Sequence, residues 1–376
     1  MCIPVYNSDA KQKEKHHRNC RRVTNLSIVL FFSSVILLIF SLSTYQLAIK
    51  LVDMAYDTTD IQNKTTAVIG QMKIFMGNPI RLFPYTQKLI EWSNQVLINH
   101  LQLTLVNEVV IGKDGWLFTN DSRSIDDYKG AVRYTDQELS VFTATLESRK
   151  NWLLKRGIPL LLVVAPNKES IYPEFLPDGI KKINENSRLD QLINYLKLNS
   201  DVDLLDLRRP FLHEKQHYQL YYKTDSHWNS YGAYFAYSEI MKKLKIYFPG
   251  VETYPIADYT EKIDNLPKAG DLASLIMMED SYTEKRFHLE KTEDKGNIFP
   301  TKIHYAVIYH DSFYNAMQPF LAQHFDKISE YQYDAINGSF DEHMLEMEKP
   351  DIVIYIMVER WVPRYFLKGY DFFKLN

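Results

Sequence analysis

The chain has 376 residues, of which 45% are apolar and 24% are charged, and its formal net charge is -3. This composition is typical of a globular protein with one large or two ordinary domains, and no basic, aromatic-rich patch suggests nucleic-acid binding. The two cysteines, Cys2 and Cys20, lie near the amino terminus, which excludes a disulfide framework or a cysteine-based zinc site in the main body.

The first predicted element is a membrane anchor over residues 23–49, a stretch without any charged residue. A span needs about 20 mostly apolar residues. Lys and Arg residues are frequent before it, from Lys11 to Arg22, and this excess predicts a cytoplasmic tail over 1–22 with the main body outside. A cleaved signal peptide is the alternative, although the apolar run is long for one.

The next predicted element is a mostly helical stalk over 50–105, interrupted at Gly77-Asn78-Pro79. From residue 135 strands alternate with helices, which predicts an α/β domain over 106–376 with a mainly parallel sheet. Residues 251–300 are polar and are interpreted as an irregular insertion or lid. The predicted helices are 135–156, 187–198, 230–247, 312–325 and 341–348, and the predicted strands are 109–111, 158–165, 202–207, 303–309, 328–333 and 351–358.

Ser312 follows the predicted strand 303–309 directly, within His310-Asp311-Ser312-Phe313. A serine at a strand-to-helix turn is well placed as a nucleophile, and N–H groups at the helix start could stabilise an oxyanion. The alternative is that Ser312 or Asp311 only caps the helix.

Asp225 and His227 precede the predicted helix 230–247. On a strand-like stretch, residues two positions apart point the same way, so Asp225 could orient the imidazole while His227 takes the proton of Ser312. The alternative is a structural histidine beside Trp228.

A competing pattern for zinc occurs at His213-Glu214-Lys215-Gln216-His217, with Glu239 as a possible third ligand. Such a site needs a buried helix with both histidines on one face. The polar neighbours favour an exposed loop or short helix, so we predict no metal site. The chain also lacks a dinucleotide fingerprint and a P-loop, and we expect no cofactor.

Six short blocks follow one another over about 110–362. They are Gly112–Phe118; Pro166, Lys168, Tyr172, Pro173, Leu176 and Pro177; Asp225–Asn229 with Tyr231-Gly232-Ala233; Gly270-Asp271-Leu272; Asp311-Ser312-Phe313; and Glu359-Arg360. In this order they resemble the AlgX/AlgJ type of SGNH-hydrolase-like polysaccharide O-acetyltransferase.

The resemblance implies an SGNH-hydrolase-like fold with a permuted order of catalytic residues, in which Asp225, His227 and Ser312 form the triad. It also implies an acetyl-serine intermediate, a polysaccharide acceptor, and a multi-spanning membrane-bound O-acyltransferase as the acetyl donor partner. The expected location is the bacterial inner membrane, with one span and the catalytic domain on the periplasmic side. The expected substrate-binding or supporting residues are Lys168, Tyr222, Asn229 and Arg360.

His310 departs from the family pattern, which usually has glycine before Asp-Ser. Glycine permits backbone angles that histidine adopts only at a cost, and His310 could compete with His227 as the base. A non-catalytic glycan-binding or scaffold protein is therefore an alternative. An esterase with the same triad is another, because water exclusion from the cleft decides whether water or a sugar attacks the acyl-enzyme. The chain ends soon after Glu359-Arg360, which favours the membrane-anchored AlgJ type.

Overall fold

A computed structural model describes residues 106–292, 302–332 and 340–367 of the chain. The predicted tail (1–22), membrane anchor (23–49) and stalk (50–105) lie outside these residues. Within the described ranges, no helix combines the length and the apolar character that crossing a membrane requires.

The described part of the chain alternates strands and helices. The strands are β1 (Val109–Ile111), β2 (Leu117–Thr119), β3 (Leu160–Ala165), β4 (Asp203–Asp206), β5 (Tyr259–Ile263), β6 (Lys268–Ala269), β7 (Thr283–Glu284), β8 (Phe287–Lys291), β9 (Ile303–His310), β10 (Phe325–Gln332) and β11 (Ile352–Val358). The helices are α1 (Ser124–Tyr128), α2 (Asp136–Leu154), α3 (Lys168–Ile171), α4 (Arg188–Asn199), α5 (Arg208–Glu214), α6 (Ser230–Tyr247), α7 (Asp271–Leu275), α8 (Tyr314–Leu321), α9 (Glu342–Glu348) and α10 (Val362–Phe366).

The centre of the fold is a five-stranded parallel sheet in the order β10-β9-β11-β3-β4. Every residue of β3 and β11 is buried, as expected for strands that are covered on both faces. The parallel α/β architecture predicted from the sequence is therefore confirmed.

Two apolar cores cover the two faces of this sheet, because successive side chains of a strand point to opposite sides. In β3, Leu161 and Val163 join the core that α6 and α8 cover, whereas Leu162 and Val164 join the core that α2 and α4 cover. The result is three layers with the sheet in the middle.

The predicted helix starts are largely confirmed, because their caps are present. Thr135 and Ser187 each form a complete capping box, at the starts of α2 and α4. The predicted helix 312–325 is shorter than expected: α8 begins at Tyr314 and ends at Leu321. Its ends differ because Ser312 and Phe313 lie in a turn and because Phe325 already begins β10 and is buried.

The segment 251–300 is more regular than predicted, as far as it is described. Residues 251–292 contain two antiparallel strand pairs, β5 with β8 and β6 with β7, and the short helix α7. Leu272 and Ile276 pack with Val109 and Leu117 in a small third core. This support segment, defined as residues 259–291, is hydrogen-bonded to the loop that contains Asp225 and His227.

Candidate active site

Asp225, His227 and Ser312 form one hydrogen-bonded chain. Nε2 of His227 lies 2.7 Å from Oγ of Ser312, and Nδ1 lies 2.8 Å from Oδ1 of Asp225. With the proton on Nδ1, the imidazole donates to Asp225 and accepts from the hydroxyl of Ser312, which is the tautomer that a general base requires. The structure thus brings together the three residues predicted to be catalytic.

A local turn, rather than a strand, produces the Asp225–His227 pair. Residues 223–227 form a bend, in which Oδ1 of Asp225 also accepts the backbone N–H of His227 at 3.0 Å. The ends of the loop are joined by an antiparallel bridge between Tyr221 and Trp228. The predicted pairing is therefore present, but the reason given for it was wrong: an Asp side chain that bonds the backbone two residues on closes the turn.

Ser312 lies in the turn between β9 and α8, at the carboxyl edge of the sheet. The buried carboxylate of Asp311 fixes this turn, because it accepts the N–H of Phe313 at 2.9 Å and that of Val358 at 2.6 Å. Asp311 therefore caps the turn and ties it to the neighbouring strand β11. The Ser312 hydroxyl does not cap α8 and points to His227.

The backbone N–H of Ser312 has no acceptor among the described residues, whereas those of Asp311, Phe313 and Tyr314 donate to protein oxygens. A donor beside the nucleophile is the kind of group that stabilises an oxyanion.

His310 is the buried last residue of β9 and has an extended backbone, so it takes none of the positive φ angles that favour glycine. The expected cost of histidine at this position was wrong. Its Nδ1 lies 2.9 Å from the carbonyl oxygen of Asp311, and its ring packs on Tyr314 with centroids 4.4 Å apart. Among the described residues, the ring that contacts the Ser312 hydroxyl is that of His227 and not that of His310.

The buried side chain of Lys168 holds the loop that contains Asp225 and His227 by hydrogen bonds. Its buried Nζ donates to the carbonyl oxygens of Tyr222, Lys223 and Asp225 at 2.9, 3.0 and 2.8 Å. Burial lowers the pKa of Lys168 to about 7, and the charge of Glu284 most strongly opposes this change. The three acceptors match the three N–H donors of an ammonium group, so Lys168 supports the loop and does not face substrate.

Arg286 is a site residue that the sequence did not reveal. Its Nη2 donates to Oδ2 of Asp225 at 2.7 Å, and its guanidinium lies 4.1 Å from the ring centre of Tyr222. The hydroxyl of Tyr222 donates to the carbonyl of Phe287 at 3.0 Å, so Tyr222 supports Arg286. Burial disfavours the charged form of Asp225, but hydrogen bonds from His227 and Arg286 outweigh it and hold the pKa of Asp225 well below its usual range.

The imidazole of His227 faces a second carboxylate. Oδ2 of Asp271, in the support segment, lies 3.4 Å from Nδ1 of His227. Burial disfavours the imidazolium, but the hydrogen bonds and charges of Asp225 and Asp271 outweigh burial and raise the pKa of His227 to about 9. The two carboxylates therefore favour the imidazolium that forms when His227 takes the proton of Ser312.

The other two predicted supporting residues have different roles. Asn229 is buried and caps α6, with its side-chain oxygen accepting from the N–H groups of Tyr231 and Gly232. Arg360 lies beyond the carboxyl end of β11, with its guanidinium carbon 5.6 Å from the ring centre of Phe313, which follows the serine, and Nε 3.3 Å from Asp121. Asn229 is thus structural, whereas Arg360 lies beside the nucleophile turn.

Glu359 joins the ends of two strands. Its carboxylate accepts the N–H of Asn167 and the hydroxyl of Ser170, both at 2.9 Å. Burial raises the pKa of Glu359 to about 8, although Arg208 opposes the change. This contact fixes the carboxyl ends of β3 and β11 relative to each other.

The zinc pattern does not form a site in the described residues. Helix α5 ends at Glu214, and the side chains of His213 and His217 are exposed. A different group, Asp225, His227 and Asp271, has ligand atoms within 4.8 Å of one another. Because Arg286 already supplies a positive charge to Asp225 and Nε2 of His227 faces Ser312, we assign this group to hydrogen bonding.

Gly270 permits the close approach of the support segment. A Cβ at this position would lie 2.2 Å from the carbonyl oxygen of Thr224 and 2.5 Å from the N of Asp225. We expect Gly270→Ala to destabilise the protein by about 1–3 kcal/mol and to lower activity, measured by urea unfolding and ester turnover. Gly179→Ala is the matched control, because nothing lies within 4 Å of its added Cβ. Equal effects of the two variants would contradict this packing argument.

Comparison with known proteins agrees with this fold. Residues 109–301, just over half of the chain, match the family model described as "SGNH hydrolase-like domain, acetyltransferase AlgX". The chain belongs to this family. The matched residues of this AlgX-family chain include Asp225 and His227, whereas Ser312 lies beyond them. The placement of the serine beside His227 therefore rests on the geometry.

Two curated relatives of this AlgX-family chain are described as "Probable alginate O-acetylase AlgJ". The protein of Pseudomonas syringae pv. tomato is 29% identical over 183 residues, which cover 48% of this chain and 45% of the relative. The protein of Pseudomonas aeruginosa is 31% identical over 137 residues, which cover 35% and 33%. The chain thus spans about half the length of these relatives or less.

A solved structure confirms the fold of this AlgX-family chain. Bacillus cereus PatB1 superposes with a TM-score of 0.50 at 18% identity, over 73% of this chain and 99% of that chain. At this identity the likeness shows the fold alone, and it agrees with the SGNH-hydrolase-like α/β domain predicted from the sequence.

Proposed function

We propose that the chain is an O-acetyltransferase that transfers acetyl groups through Ser312 to hydroxyls of a polysaccharide outside the cytoplasm. The observation that supports this most strongly is the continuous chain of hydrogen bonds from Asp225 through His227 to Ser312, at 2.8 and 2.7 Å. A serine with a base and an oriented acid is the arrangement of acyl transfer. The relatives named alginate O-acetylases favour a polysaccharide acceptor.

In the first half-reaction, His227 removes the hydroxyl proton of Ser312 while Oγ attacks the acetyl carbonyl. The N–H of Ser312 stabilises the oxyanion. The C–O bond to the donor breaks as His227 returns the proton to the leaving oxygen, which leaves acetyl-serine. In the second half-reaction, His227 takes a proton from a sugar hydroxyl, whose oxygen displaces Oγ and becomes the new ester, and Ser312 regains its proton.

The proposal includes a location and a donor. Residues 23–49 would anchor the chain in the bacterial inner membrane with the catalytic domain on the periplasmic side. A multi-spanning membrane-bound O-acyltransferase would then present acetyl groups to Ser312. The chemistry of the triad needs no cofactor.

The experiment that tests this function separates the two half-reactions. The full chain is incubated with a chromogenic acetyl ester, and the peptide containing Ser312 is analysed by mass spectrometry. We expect one added acetyl group, and its transfer to an added oligosaccharide. An adduct that only water removes would indicate an esterase instead, and a folded protein without an adduct would indicate a non-catalytic scaffold.

A further inference from the structure

Two carboxylates, those of Asp225 and Asp271, lie beside His227, and they differ in whether a cation is paired with them. Asp225 contacts the imidazole, but its other oxygen is paired with Arg286 at 2.7 Å. Asp271 has no such cation among its described contacts, and 41% of its side chain is exposed. The positive charge of Arg286 therefore offsets the negative charge of Asp225, whereas the described contacts of Asp271 include no such cation.

Ser226, which lies between Asp225 and His227 in the sequence, holds the side chain of Asp271 next to His227. Oδ1 of Asp271 accepts the backbone N–H of Ser226 at 2.7 Å, and its Oδ2 accepts the Ser226 hydroxyl at 2.5 Å. The same hydroxyl lies 3.3 Å from Nδ1 of His227, and Oδ2 itself lies 3.4 Å from that nitrogen. A carboxylate fixed at two points in this way cannot rotate freely away from the imidazole.

The support segment provides both charges. Asp271 begins α7 and Arg286 precedes β8, and the segment is joined to the loop by further bonds. The N–H of Gly270 donates to the Thr224 hydroxyl at 2.9 Å, and Glu284 accepts the N–H of Thr224 at 2.8 Å. The segment therefore sets the electrostatic surroundings of the loop as well as its position.

We propose that Asp271 is a positioning residue that acts as a second acid partner of His227, and that Arg286 opposes it by neutralising Asp225. Together they set how readily the imidazole takes the proton of Ser312. This inference rests on the proposed function, since it treats His227 as the general base.

The sign of each effect follows from the charges. A negative charge near the imidazole favours the imidazolium, and a positive charge disfavours it. Removing the charge of Asp271 should therefore lower the pKa of His227, and removing that of Arg286 should raise it. Among the described residues, Asp225, Asp271 and Asp311 interact electrostatically with His227, and Arg286 is paired with Asp225. Lys168, with Glu284 beside it, interacts with Asp225 and Asp271, and Arg360 interacts with Asp311.

The test is a titration of His227 in the full chain. Histidine labelled with carbon-13 at Cε1 is followed by NMR, and the His227 signal is assigned by its loss in His227→Asn. We expect Asp271→Asn to lower the midpoint by about one pH unit and Arg286→Gln to raise it by less, because the guanidinium does not touch the imidazole. The acid limb of the profile of kcat/KM against pH should move in the same directions.

Glu290→Gln is the matched control. Glu290 lies in the same support segment, is exposed, and pairs only loosely with Lys262 at 3.8 Å, so the His227 midpoint should not change. A midpoint unchanged in Asp271→Asn, or moved in the same direction by both test variants, would overturn the proposal, because general loosening of the site cannot produce opposite changes. If the opposite changes occur without any acetyl-Ser312 in the wild-type protein, the proposed function fails while the pairing of charges stands.

Discussion

The Ser312→Ala variant is expected to lose turnover of an acetyl ester by about three to six orders of magnitude. The reason is that Oγ of Ser312 is the group that His227 contacts at 2.7 Å, so its removal eliminates the covalent intermediate. The measurement is the initial rate with a chromogenic acetyl ester, together with mass spectrometry of the peptide that contains position 312.

Two further variants complete this experiment. His227→Ala should cost nearly as much as Ser312→Ala, and the double variant should be no worse than either single variant, because nucleophile and base act as one unit. Ser140→Ala is the control, since Ser140 is an exposed serine on α2, the helix that covers the sheet face opposite α8. A folded Ser312→Ala protein that keeps its turnover would show that another group is the nucleophile.

The Lys168→Met variant is expected to be strongly destabilised, by about 3–5 kcal/mol. In the wild-type protein, Nζ of Lys168 donates to three carbonyl oxygens in the loop 222–225. Methionine has a similar length but no hydrogen-bond donor. The buried carbonyls would then lose their bonds and the loop that positions Asp225 would loosen. Urea unfolding measures the loss of stability, and ester turnover should fall as well.

Lys242→Met is the matched control for this variant. Lys242 is mostly exposed and pairs with Glu239 one turn earlier on α6, and such surface pairs contribute about 1 kcal/mol or less. If Lys168→Met and Lys242→Met unfold at the same urea concentration, Lys168 does not support the loop in the way that its contacts indicate.

Local sequence patterns predicted the sheet and several helices well. The apolar runs of β3 and β11 are buried throughout, and a run of this kind is what a strand covered on both faces requires. The capping box at Thr135 marked the start of α2. The boundaries around α8 were wrong because the turn at Ser312 depends on Asp311 bonding to Val358, a contact across 47 residues.

The sequence indicated the serine of the candidate triad and its Asp–His pair for different reasons. Ser312 was recognisable from its place after a strand, and Asp225 with His227 from their spacing and from the resemblance to a family. The turn that joins Asp225 to His227 was not predicted, because a strand-like stretch and a turn both place these side chains together. The expected backbone cost of histidine at position 310 was wrong because the backbone angle at a position depends on where the strand ends.

The sequence by itself determined the α/β class, the order of the elements and the residue types that suit acyl transfer, because these depend on local patterns of apolar and polar residues. Only the tertiary structure decided what surrounds the base. Arg286 and Asp271 lie 61 and 46 positions after Asp225 in the chain, whereas Lys168 lies 57 positions before it. No periodicity or spacing links such residues, since their meeting depends on how separate elements pack. The strength of His227 as a base is therefore a property of the folded chain.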